Sequence, residues 1–164
     1  MMYRTLRSAL YFAAAVVAVA GGAQAATTGS VNLSGSIGQS CNLTVSASGN
    51  TGLNLANTAT ATSVTTVTEA CNDKLGYNVT LVTTNGTTTG LFKGPSGNTD
   101  TLAYTVTYNG AAKTFAASSS QITTAAARTA PGGVAKTLAI SYTGNSALNA
   151  DTYTDTLTLT MTAN

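Results

Sequence analysis

Through most of this chain apolar residues recur at every second position, with Thr, Ser or Asn between them. A helix cannot use that spacing, because its faces repeat every 3.6 residues, whereas a strand points alternate side chains to opposite faces. The pattern therefore predicts strands with one buried and one wet face. Val31, Leu33 and Ile37 form one row, and Leu43 and Val45 continue past a cysteine. Tyr77, Val79 and Leu81 form another, followed by Leu102, Tyr104, Val106 and Tyr108. Val134, Leu138, Ile140 and Tyr142, then Tyr153, Leu157, Leu159 and Met161, complete the set. Tyr104, Val106, Leu138, Ile140, Leu157 and Leu159 are expected in the core.

Turn signals separate these rows: Asn85-Gly86, Pro95-Ser96-Gly97, Asn109-Gly110, Pro131-Gly132-Gly133 and Gly144-Asn145. Asn109-Gly110 follows an alternating run and precedes Lys113 to Phe115, the signature of a two-residue hairpin. The Ala-rich piece from Ala125 to Ala130 reads as a loop, with a helical turn as the alternative. Several short strands punctuated this way point to an all-β sandwich with Greek-key connections. A Thr-rich polar chain could instead be disordered, but 43% hydrophobic residues in regular alternation argue for a packed core.

The first twenty-five residues, 1–25, read as a signal peptide. Arg4 and Arg7 supply a basic start, the apolar run Ala9 to Ala20 is about twelve residues long, and Ala23-Gln24-Ala25 fits a small-x-small cleavage site. A membrane-spanning helix needs roughly twenty apolar residues. Cleavage leaves 139 residues (164 minus 25), which suits one domain.

Beyond the signal, Lys74, Lys93, Lys113, Arg128 and Lys136 balance Glu69, Asp73, Asp100, Asp151 and Asp155, so the +2 of the full chain comes from the leader. No basic stripe exists to meet a phosphate backbone, which argues against a nucleic-acid partner. So sparse a charge also leaves little repulsion to oppose self-association.

The two cysteines, Cys41 and Cys71, form an even pair in an exported chain and read as a disulfide, with two free buried thiols as the alternative. Such a bond should join the first strand to the start of the third or fourth. Closing a loop of about thirty residues stabilises a fold by roughly 3 to 4 kcal/mol in the chain-entropy model. With no histidine and only two thiols, a tetrahedral zinc site and the usual general base are both missing, so no catalytic, metal or cofactor site is expected. Neither Gly-x-Ser-x-Gly nor a phosphate-binding glycine loop occurs. Asp151 and Asp155 flank Tyr153, and a carboxylate bonding backbone amides at the start of a strand is the simpler reading. The Asn-x-Ser/Thr triplets at Asn32, Asn42, Asn78 and Asn85 arise by chance in so Thr-rich a sequence.

Four features in order resemble the archaic, Csu-type chaperone-usher pilins of the spore coat protein U family. They are the short alternating segment Gly29 to Ile37 ahead of Cys41, Cys71-Asn72 just before the strand Gly76 to Leu81, the mid-chain run Leu102 to Tyr108, and the ending Ala150 to Met161. That ending is similar to the family's closing Gly-x-Tyr-x-Asp-x-Leu strand, with Ala150-Asp151 where glycine is usual. The family's aromatic-glycine pair after the first cysteine is replaced by Thr51 to Ala56.

The resemblance implies an immunoglobulin-like sandwich lacking its final strand, spanning 41–164, with an N-terminal donor-strand segment at 26–40. Val31, Leu33 and Ile37 would fill the groove of a neighbouring pilin subunit. It also implies a periplasmic chaperone, an outer-membrane usher, and export through the periplasm to the cell surface as a pilus for adhesion or biofilm formation. The chain ends three residues after Met161, and only Gly38, Gln39 and Ser40 separate Ile37 from Cys41, which fits insertion into a neighbour better than self-insertion. A tip adhesin or a non-polymerising secreted binding module on the same scaffold is the alternative.

Overall fold

The computed structural model describes residues 27–47, 49, 52–115 and 120–164. The signal peptide expected at 1–25 lies outside the described residues. Among those described there is no helix, and nine strands form two antiparallel sheets, an arrangement consistent with a β-sandwich.

The larger sheet contains β1 (Cys41–Val45), β2 (Ala59–Cys71), β8 (Val134–Tyr142), β5 (Thr101–Tyr108) and β4 (Gly90–Lys93) in that order, and β6 (Ala111–Lys113) pairs with the far half of β5. The smaller sheet orders β7 (Ser120–Ala126), β3 (Tyr77–Thr83) and β9 (Leu157–Ala163). Residues 37–164 form the body. Residues 27–36, taken by themselves, carry no strand, and Val31 and Leu33 are 83% and 92% exposed.

The alternating rows become the core. Val79, Leu81 and Val106 are fully buried, and Tyr104, Leu138 and Ile140 nearly so. Thr101, Ala103 and Thr105 of β5 face solvent, as period two demands. Leu157 and Leu159, expected in the core, are only half-buried, for a reason that lies in the neighbours of β9. Val134 is exposed at the start of β8, where its row begins outside the packed region.

Asn109 and Gly110 have φ of 50° and 78°, so both central residues of the β5–β6 turn sit in the left-handed region that matches a strand pair's twist. Gly90 serves a different need. A side chain there would run into the Tyr104 ring, so the bare backbone lets that ring lie flat across β4.

Four elements differ from expectation, the first being β4, which no alternating row announced. β2 is the longest strand, with 13 residues, and it went unread because two register irregularities, near Ala59–Thr62 and Ser63–Thr65, break its period. Ala125 and Ala126 close β7 rather than belonging to a loop. The last strand begins at Leu157, with Thr154 making only an isolated bridge to Lys93.

Cys41 and Cys71 form the disulfide. They are register partners across β1 and β2, so the bond staples the first strand to the end of the second, not to the third or fourth. The unread β2 accounts for the difference.

Candidate functional site

One part of the core is sealed by a polar cluster. Glu69, on β2, is fully buried. Its Oε2 lies 2.6 Å from Lys136 Nζ on β8 and accepts from Tyr77 at 2.8 Å; its Oε1 accepts from Tyr108 at 2.6 Å and Thr123 at 2.9 Å. Burial alone would raise the Glu69 carboxyl, but Lys136 and the hydroxyls of Tyr108, Tyr77 and Thr123 outweigh it and hold the group below its ordinary value. The same arrangement raises both tyrosines, through burial first and the Glu69 carboxylate second. Tyr77 and Thr123 belong to the smaller sheet and Tyr108 to the larger, so a single carboxylate ties the two together. Nothing in the sequence marks Glu69, because its partners lie on four other strands.

A second carboxylate, Asp155, sits just ahead of β9. It accepts from the hydroxyls of Thr83 and Tyr104 at 2.5 and 2.7 Å and from the amides of Asn85, Leu91 and Thr156 at 3.1, 3.1 and 2.8 Å. Burial and then Asp155 push the Tyr104 hydroxyl up. Asp155 thus bonds backbone amides at the entry of β9, as the simpler reading held, and two hydroxyls besides. Asp151, four residues earlier, accepts from the Thr152 backbone amide at 2.8 Å and from Asn98 Nδ2 at 3.1 Å.

The remaining part of the core is open. β1 hydrogen-bonds to β2 alone and β9 to β3 alone, so among the described residues each presents a free edge. These two edges approach each other, and between them a groove of about 370 Å³ reaches into the core. Val45 and Leu53 form one lip and Leu157 and Leu159 the other, while Val64, Phe92, Leu138 and Ile140 make the floor. This is why Leu157 and Leu159 are half-buried: they point inward but meet empty space. A second cleft of about 830 Å³ continues from the groove past Leu53 and Phe92 and is lined more by polar loops, including Asn54, Asn145 and Asp151.

At the other end of β1, the chain ahead of Cys41 is held by the loop between β2 and β3. Asn72 donates from Nδ2 to the Gly38 carbonyl at 2.8 Å, accepts the Ser40 amide on Oδ1 at 2.7 Å, and donates its own amide to the Ser40 carbonyl at 3.0 Å. Gln39 donates to Asp73 beside it.

The residues expected to act together thus fall into three places: Cys41 and Cys71 bonded at one end of β1, Leu138, Ile140, Leu157 and Leu159 around one groove, and Val31, Leu33 and Ile37 exposed. Tyr104 also lines the groove, whereas Val106 lies deeper. Among the described residues no three His, Cys, Asp or Glu side chains gather as a metal site. No protein-family model matches the sequence, and no curated protein matches it.

Proposed function

We propose that this protein is a structural pilin subunit that polymerises by donor-strand exchange. On this reading the body is an immunoglobulin-like Greek-key sandwich short of one strand, and the segment from Gly29 to Ile37 of one copy fills the groove of the next. The observation that carries it is the pairing of two incomplete features: a groove between two free strand edges, and an exposed alternating row of the same period.

An inserted strand would hydrogen-bond to the unpaired edges and place Val31, Leu33 and Ile37 against the half-buried row of β9. Each buried side chain contributes about 1.5 to 3 kcal/mol before ordering costs. An empty groove leaves two sheet edges open to unplanned pairing. The resemblance to chaperone-usher pilins therefore carries its partners with it: a periplasmic chaperone that caps the groove, an outer-membrane usher, and a fibre on the cell surface serving adhesion or biofilm formation.

Replacing Leu33 with Asp tests the reading. An unpaired charge in the neighbour's groove costs several kcal/mol, while the body is untouched, so the variant is expected to be exported and folded but to form no fibres in electron micrographs. Normal fibres from Leu33→Asp would refute donor-strand exchange.

A further inference from the structure

The loop from Asn72 to Gly76 gathers both ends of the body. Three hydrogen bonds to Asn72 fix Gly38 and Ser40, as described above, and Asn164 donates its amide to the Gly76 carbonyl at 3.0 Å and its Nδ2 to the Leu75 carbonyl at 3.2 Å. Leu75, at the crest of this loop, is 65% exposed. A single exposed leucine is ordinary on a protein surface. What gives this one a partner is the spacer beside it.

Ile37 is bonded directly to Gly38 and is 93% exposed. Consecutive Cα atoms are about 3.8 Å apart, so a residue next to a pinned Gly38 stays within roughly 10 Å of Asn72. If Ile37 enters a neighbour's groove, the rim of that groove comes equally close. A free three-residue tether would let the neighbour swing away; this spacer is fastened along its length.

We propose that the Asn72–Gly76 loop is a second contact between successive copies of this chain, with Leu75 packed against the rim of the groove that receives its own N-terminal segment. Asn72 is the positioning residue that brings the rim there. The proposal rests on the donor-strand reading and names its partner: the adjoining copy of the same chain. The joint between subunits is then a stiff one, made by an inserted strand and a docked loop together.

A benzophenone side chain placed at position 75, with Thr105 on the exposed face of β5 as the comparison site, tests the contact in assembled fibres. Irradiation is expected to give a covalent ladder of subunits from position 75 and none from position 105. Fibres that assemble but give no ladder from position 75 overturn the docked loop and leave donor-strand exchange standing. Absence of fibres from the unsubstituted chain, or normal fibres from Leu33→Asp, overturns both. The clamp is checked separately by amide exchange in the Leu33→Asp chain. Ser40 should be protected, lose that protection in Asn72→Ala, and keep it in Asn72→Asp, which retains the accepting oxygen. A Ser40 amide that exchanges freely with Asn72 in place overturns the positioning role.

Discussion

β3 and β9 lie side by side in the smaller sheet, with Val79 opposite Met161 and Leu81 opposite Leu159. From Tyr77 to Leu81 in β3 and along β9, polar residues alternate with apolar ones and the apolar row turns inward; only at its end does β3 depart, with Val82 outward and Thr83 inward. Yet Val79 and Leu81 are fully buried while Leu159 and Met161 are half-exposed. Neither composition nor period separates them. The difference is that, among the described residues, β3 has a strand on each side and β9 has one, so burial here is decided by pairing order rather than by the residues themselves.

The largest expected effect is on the sealed part of the core. Lys136→Met leaves Glu69 buried without its cation and should cost about 3 to 5 kcal/mol, read from urea midpoints. A loss of only about 0 to 1 kcal/mol, the size of a surface pair, would show that this region is wetter than described.

Next comes the comparison itself. Leu81→Ala should cost about 2 to 5 kcal/mol, and Leu159→Ala in the isolated chain clearly less, because fewer atoms surround it. Equal losses at the two positions would erase the distinction between β3 and β9.

Filling the groove should raise the weaker side toward the stronger. A peptide copying residues 29–37, added at a hundred times its dissociation constant, is expected to stabilise the chain by about 2.7 kcal/mol. The same peptide with Asp at position 33 should leave the melting temperature unchanged, and stabilisation by both peptides would argue against a specific seat.

The smallest effects are in pH. Glu69 is held below its ordinary 4.5 in the fold, so its contribution is present above that value and is lost as pH falls through the lowered one. Tyr77 and Tyr108 are raised from 10.0, so theirs is present below pH 10 and fades as pH climbs beyond it. Chemical denaturation across pH should give a plateau between these limits, with the acid arm missing in Glu69→Gln and the alkaline arm, which burial of the tyrosines chiefly supplies, weakened but retained.

The strands that could be read in advance were those with a clear alternating row: β1, β3, β5, β8 and β9, with the Asn109-Gly110 turn between β5 and β6. β2 escaped because Val64 and Val67 are three apart across a bulge, with Ala61 at a φ of 48° nearby, so neither face shows a regular row. Glu69 escaped with it, as one acid in a polar run. The groove was legible only in its parts. Leu157 and Leu159 stood out as inward residues, but whether an inward row meets a partner depends on which strand lies next to it, and a period of two does not contain that.

The placement of the disulfide bears on how the protein carries load. A pull on the N-terminal segment first loads the hydrogen bonds of Gly38 to Ser40 and, once they give, reaches Cys41, the first residue of β1 and the one joined to Cys71. A strand hauled from its end ordinarily unzips one hydrogen bond at a time, and the cheapest bond to break is the first. Here the first rung is covalent, so force passes straight into β2, the longest strand, and β1 cannot be peeled away from that side. Under tension, the lip of the groove keeps its shape for as long as the sulfurs stay joined.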